Sequence, residues 1–322
     1  MTGVRIRAAA HYLPSTVLDN HQISTWVDTT DEWIVKRTGV SERRISEGEN
    51  TSDLCIQVGK QLLETSGINP EDIDMVLVAT FTPDYGTPSV ACLVQAELGA
   101  TNAFAFDLSA ACSGFVYGVS VAQKYLLTKQ YKNILVIGAD VLSKITDWSD
   151  RGSCILFGDG AGGVLLGADE NALFAEKLYS RGDKVITGGF TKVVNPLTGM
   201  ERGEYDFLKL DGREVFEFAV KEATANINEI LEQTGMSIDD IDHIIPHQAN
   251  GRIIEAIAKK LKTSLEKFYV NIQKYGNTSA ASIPIALSEM FKNGTLKQGT
   301  GKKVILVGFG GGLTWGSVLL SI

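Results

Sequence analysis

Apolar residues along this chain fall into two kinds of run that alternate. Short, nearly unbroken runs read as buried strands: MVLVAT (75–80), AFAFD (103–107), ILVIG (134–138), GGVLLG (162–167) and VILVG (304–308). Between them lie stretches with small and apolar residues at helical spacing, such as SGFVYGVSVAQKYL and SIPIALSEMF. The alternation predicts an α/β protein with sheets covered on both faces. Residues 304–322 carry no charge and approach membrane-spanning length, but five glycines interrupt them. Two buried strands around a glycine turn are the expected structure there.

The pattern also repeats. KQLLETSGINPEDID (60–74) and NEILEQTGMSIDDID (228–242) lie 168 residues apart and agree at six of fifteen positions. Each reads as a helix end, a glycine stop, a short acidic connection and a buried strand. ILVIG (134–138) and VILVG (304–308) lie 170 apart, and the offset of 168 sets Cys112 opposite Ala280. Two ordered matches at nearly one offset predict duplicated halves at roughly 1–170 and 171–322. A site between such halves would draw residues from both.

Composition narrows the function. With 322 residues, 44% hydrophobic and 21% charged, the chain can bury a sizeable core. A formal charge of -8 argues against nucleic acid as a partner. The four cysteines and four histidines show no metal-ligand spacing, so no metal is expected. A chain of this size needs no disulfides, and the N-terminus lacks the apolar segment of a signal peptide. A cytoplasmic protein is expected, with no membrane span.

Three residues carry candidate chemistry. Cys112 falls where the strand AFAFD gives way to a helix, a place that exposes a nucleophile and predicts a thiol acidified by the helix dipole. Cys55, Cys92 and Cys154 read as buried small hydrophobes. His247 ends the strand HIIPH before a helix that begins after Asn250, and Asn277 follows Gly276 in a turn before another helix. Singly, a histidine and an asparagine in such places are most often structural. With Cys112 they form a Cys/His/Asn set drawn from two halves. A papain-like hydrolase uses the same residue types, but its CGSCW-like signature is absent. The run GFGGGLTWG (308–316) can aim backbone N–H groups at an oxyanion.

At these residues the chain resembles the β-ketoacyl-acyl carrier protein synthase III family. The matching segments are DTTDEWIVKRTG (28–39), DLSAACSGF (107–115), DRGSCILFGDGAG (150–162), PHQANGRII (246–254), YGNTSAAS (275–282) and FGGGLTWG (309–316). The resemblance implies the thiolase-like fold, a layered αβαβα duplication. It implies that Cys112 accepts an acyl group from acetyl-CoA or another short acyl-CoA. His247 and Asn277 then stabilise the enolate formed by decarboxylation of malonyl-acyl carrier protein. The N–H groups of Cys112 and Gly311 match the oxyanion hole. Thr29, Trp33, Arg37, Arg151, Gly212 and Asn250 match contacts to CoA. No cofactor is implied, and a homodimer is.

Docking of the acidic carrier protein is expected at Gln248, Ala249, Asn250, Gly251, Arg252, Lys259 and Lys260, around the helix that follows His247. Glu217 departs from a lysine found in some members. Thr87 stands where some members place a phenylalanine that closes the acyl pocket of the neighbouring subunit, which suggests room for a longer or branched primer. Rival readings are another thiolase-like enzyme, a cysteine hydrolase and a non-catalytic binding protein. A hydroxymethylglutaryl-CoA synthase normally carries a glutamate acid/base, and none stands in a matching motif here.

Overall fold

A computed structural model describes residues 3–188, 193, 194, 196–202 and 207–322. Among the described residues, nine strands build the two large sheets. They are β1 (Gly3–Tyr12), β2 (Met75–Ala79), β3 (Phe104–Leu108), β4 (Ile134–Asp140), β5 (Gly160–Asp169), β6 (Phe174–Ser180), β7 (His243–Pro246), β8 (Lys303–Gly310) and β9 (Thr314–Ser321). The first sheet has the order β1-β5-β4-β2-β3, and the second β6-β9-β8-β7. Parallel pairs lie at β4-β2, β2-β3 and β7-β8, antiparallel pairs at β1-β5, β4-β5, β6-β9 and β8-β9. The second sheet therefore repeats the first, less a partner for β3. Residues 304–322 form two strands around a glycine turn, as expected, and no helix among the described residues is long and apolar enough to cross a membrane.

Among the described residues, seven helices of eight residues or more accompany the sheets: α1 (Asp31–Thr38), α2 (Thr51–Ser66), α3 (Val90–Leu98), α4 (Gly114–Leu127), α5 (Gly212–Thr234), α6 (Gly251–Lys260) and α7 (Ser282–Lys292). The internal repeat is literal. Helix α2 stops at a left-handed Gly67, followed by a 3-10 turn at Pro70–Asp72 and then β2. Helix α5 stops at a left-handed Gly235, followed by Ile238–Asp240 and then β7.

Strand alternation explains the layers. In β2, Val76 and Val78 face α2 and α3, whose Leu54, Val58, Leu62, Val94 and Leu98 form one outer core. Met75 and Leu77 face the other way, onto Phe115, Val119 and Leu126 of α4 and Ile283, Leu287 and Met290 of α7. Those two central helices also meet Ile245, Leu306 and Val318 of the second sheet. Its far face carries α5 and α6 through Ile227, Ile230, Ile254 and Ile257. The result is αβαβα. Truncating a side chain in the central layer, such as Phe115, would cost about 3–5 kcal/mol.

The cysteine assignments need one correction. Cys55 and Cys154 are buried, but Cys92 is exposed. Helix α3 buries Val90, Ala91, Val94 and Leu98, a stripe that leaves position 92 outside.

Candidate active site

Strand β3 runs out at Leu108, and Cys112 sits in the 3-10 turn Ala111–Ser113 that leads directly into α4. Its repeat equivalent is the turn Ser279–Ala281 leading into α7. Ala111 and Ser279 hold φ of 45° and 50°, left-handed values that side-chain-bearing residues rarely adopt and that gather at functional sites. The two turns meet, with Ser279 Oγ 3.4 Å from Cys112 Sγ. Strand β8 presses on the first turn. A Cβ on Gly310 would lie 2.8 Å from the Cys112 nitrogen, so only glycine allows the approach.

The predicted acidification of Cys112 is reversed. Burial pushes its thiol up to about 12, because the dry site disfavours the thiolate more than the hydrogen bond from Ser279 favours it. The nearby Asp140 charge adds to the rise. Cys112 is therefore a neutral thiol at rest.

His247 continues the line of β7 by donating its N–H to Val307 O at 2.8 Å. Its ring is enclosed, with Nδ1 2.7 Å from Ser282 Oγ, which also accepts the Gln248 N–H at 3.3 Å. Assigning the Ser282 hydroxyl proton to Nδ1 places the imidazole proton on Nε2, which has no hydrogen-bond partner among the described residues. Burial lowers the His247 pKa to about 3. Asn277 is pinned between the halves: its N–H donates to Leu156 O at 2.8 Å and its carbonyl accepts from Gly158 N–H at 3.0 Å. The Ser279 N–H occupies Asn277 Oδ1 at 2.9 Å, which leaves Nδ2 as a donor.

Cys112, His247, Asn277 and Ser279 line one inner cavity of about 290 Å³. Phe81, Leu142, Phe157 and Phe309 make its walls apolar, and Gly311 lines it beside Cys112. An outer groove of about 660 Å³ adjoins it through Leu208 and Leu210, and Trp33, Arg37, Gly212 and Asn250 line the groove. The Arg151 guanidinium lies 4.9 Å from the Trp33 ring centroid and that of Arg37 lies 5.9 Å away. Thr29 Oγ1 is buried and has no hydrogen-bond partner among the described residues. The apolar wall residues, Ser279 and Ser282 went unmarked in the sequence reading. Both serines fall inside the quoted segment YGNTSAAS, and only the pairing of distant turns discloses their contacts.

The known proteins that this chain matches point one way. Residues 106–182 fit the 3-oxoacyl-[acyl-carrier-protein] synthase III family and residues 231–322 fit its C-terminal part. A β-ketoacyl-[acyl-carrier-protein] synthase III of Clostridium acetobutylicum is 50% identical over 99% of both chains. The chain belongs to the β-ketoacyl-acyl carrier protein synthase III family. Its Enterococcus faecalis relative of the same name is 51% identical over 99% of this chain and 98% of the other. The crystal structure of the Aquifex aeolicus synthase III superposes with a TM-score of 0.91 at 43% identity, over 99% of this chain and 100% of that one. The layered fold is thus the thiolase-like fold of this synthase family.

Within that family frame, the expected carrier-protein residues separate. Arg252, Lys259 and Lys260 are exposed on α6, although the exposed Glu255 stands among them. Gln248 is a correction: it is buried, donating to Pro246 O at 2.8 Å and Tyr269 O at 3.1 Å and accepting from Asn271 N–H at 3.1 Å. It braces the His247 loop and offers nothing to a docking partner. Ala249 lines the inner cavity, and Gly251 packs at the crossing of α1 and α6. Asn250 caps α6 through the Arg252 N–H at 2.9 Å and donates to Arg37 O at 3.2 Å. Glu217 lines the groove in an ion pair with Arg213 at 3.0 Å. Thr87 is exposed and does not line the inner cavity of its own chain.

Proposed function

We propose that this synthase carries acetyl or another short acyl group from CoA on Cys112 and condenses it with malonyl-acyl carrier protein. The products are 3-oxoacyl-acyl carrier protein, CoA and carbon dioxide. CoA would lie in the outer groove, its adenine against Trp33 between Arg37 and Arg151, with Thr29, Gly212 and Asn250 along its path. The acyl carbonyl would turn toward the N–H groups of Cys112 and Gly311. His247 Nε2–H and Asn277 Nδ2–H would donate to the malonyl thioester oxygen and stabilise the enolate left by decarboxylation. No cofactor enters this scheme, since loss of carbon dioxide supplies the nucleophile.

The observation that carries the reading is the enclosed His247 ring, which shares one cavity with Cys112 and Asn277. A cysteine hydrolase needs its histidine to hold the thiol proton. Here burial keeps the imidazole unprotonated down to about pH 3, and Ser282 occupies its Nδ1. Such a ring serves as a hydrogen-bond donor, the role that decarboxylation requires.

A cytoplasmic homodimer belongs to the same proposal. Among the described residues, strand β3 ends the first sheet with an unpaired edge, and its Phe104, Phe106 and Leu108 are only partly buried. Asp107 accepts the N–H groups of Val90 and Ala91 at 2.8 and 2.7 Å, which holds the Thr87 loop near that edge. A partner joined there would meet Thr87.

Intact mass spectrometry tests the scheme. Acetyl-CoA is expected to leave one acetyl group on Cys112, and malonyl-acyl carrier protein to discharge it. An adduct on another residue, or none with any short acyl-CoA, would refute it.

A further inference from the structure

Asp140 ends β4 with its carboxylate fully buried behind the nucleophile. Its Oδ1 is saturated. It accepts from Thr80 Oγ1 at 2.9 Å, Phe81 N–H at 3.0 Å, Thr82 N–H at 3.2 Å and Thr82 Oγ1 at 2.9 Å. Those bonds fix residues 80–82 and account for one oxygen. Oδ2 has a long contact, 3.5 Å, from the Ala280 N–H. The Ser279 hydroxyl also lies close enough to this carboxylate to offset part of the rise that burial imposes on its pKa. The same hydroxyl lies 3.4 Å from Cys112 Sγ. Thiol, hydroxyl and carboxylate thus lie in order behind the nucleophile, and the condensation scheme leaves the last two unused.

The duplication supplies a control. Met75 pairs with Ile134, and its repeat equivalent His243 pairs with Val304, so Asp140 corresponds to Gly310. Ser279 corresponds to Ala111, with nearly the same left-handed φ. One half builds this turn and strand end from alanine and glycine. The fold therefore does not require a hydroxyl and a carboxylate at these places. They occur on the side that faces the thiol.

We propose that Ser279 and Asp140 form a proton relay that deprotonates Cys112 and stores its proton during the life of the acyl-enzyme. The inference rests on Cys112 as the acyl carrier. The Ser279 hydroxyl, which donates to Sγ at rest, turns toward Asp140, and as Sγ bonds to the acyl carbon the thiol proton passes to Ser279 Oγ while the serine proton passes to Asp140. The C–S bond to CoA breaks, and the departing CoA thiolate takes a proton from solvent. In the second half-reaction the enolate carbon attacks the Cys112 thioester and expels the Cys112 thiolate. Asp140 then returns its proton through Ser279. One solvent proton is consumed per turnover, which balances the carboxylate lost as carbon dioxide.

Rapid-quench acylation by acetyl-CoA tests the relay in Ser279→Ala, Asp140→Asn and the double variant. Each single change is expected to slow acyl-enzyme formation by about 100-fold. The double variant should be no slower than the slower single, because the two residues act as one unit. Decarboxylation of malonyl-acyl carrier protein, which needs no thiol proton, should fall far less. A fixed-charge role gives the opposite sign. Removing the Asp140 charge would ease thiolate formation, and acylation and iodoacetamide alkylation of Cys112 would speed up. That result, or multiplicative losses in the double variant, would overturn the relay. If Asp140→Asn fails to fold for want of its bonds to residues 80–82, Ser279→Ala keeps those bonds and decides alone, through its acylation rate. An acetyl adduct away from Cys112 in the unaltered enzyme would defeat the proposed function itself. An adduct on Cys112 with undiminished Ser279→Ala acylation would defeat only the relay.

Discussion

His247 stays neutral where an exposed histidine would charge, and this has a cost on acidification. Its pKa falls from 6.5 to about 3 by burial, and that of His11 falls to about 4, mainly for the same reason. Below about pH 6.5 the unfolded chain binds protons that the folded one refuses, so stability falls as pH drops toward these lowered values. At pH 5 each histidine accounts for about 2 kcal/mol of that loss. Replacing His247 by glutamine should flatten the fall between pH 7 and 5 by this amount in urea titrations. In catalysis, His247→Ala and Asn277→Ala should still acylate Cys112 but lose decarboxylation by about 100-fold or more. Loss of acylation with decarboxylation intact would contradict the division of roles. At this scale the sequence disclosed identities better than states. Cys112, His247 and Asn277 stood out by type and position, and they do line one cavity. The direction of the Cys112 shift did not follow from its place before a helix, because desolvation depends on walls supplied by distant residues such as Phe81 and Phe309.

At the scale of elements, helix α1 shows how a cap becomes part of a binding surface. Thr30 accepts the Trp33 N–H at 3.2 Å and starts the helix, which sets Trp33 and Arg37 one turn apart on its face. Trp33 remains 40% exposed with two guanidinium groups near its ring, a surface ready to stack on a planar base. Trp33→Ala should raise the KM for acyl-CoA about tenfold, with a smaller effect on single-turnover condensation. Strands and helices of the repeat were readable because apolar period, glycine stop and acidic turn agreed in both copies. Gln248 was misjudged for a local reason. It follows a strand and precedes a helix cap, which reads as surface loop, yet its amide is enclosed by Pro246, Tyr269 and Asn271 from beyond its own element.

For the whole molecule, the equivalence of the two sheets supports a proposed duplication joint at 170 and 171, in the turn between β5 and β6. The proposed dimer gives Thr87 its meaning, since the residue is remote from its own cavity. Butyryl- and isobutyryl-CoA should prime the unaltered enzyme, and Thr87→Phe should narrow it toward acetyl-CoA. Use of acetyl-CoA alone by the unaltered enzyme would sink this reading.

The contact of Gly310 with Cys112 has a counterpart. A Cβ on Gly138 would lie 2.3 Å from the Ala280 carbonyl oxygen, so each half of the chain holds a glycine against the nucleophile-bearing turn, or its equivalent, of the other. Cys112 belongs to the part synthesised first, but the strand that backs its turn arrives almost last. Until β8 docks, the thiol lacks one wall of its pocket and is more open to electrophiles. In refolding from urea, labelling of Cys112 by a pulse of iodoacetamide should fall to its slower native rate only with the final recovery of tertiary signal. The same residue that later carries the primer thus reports when the chain has finished folding.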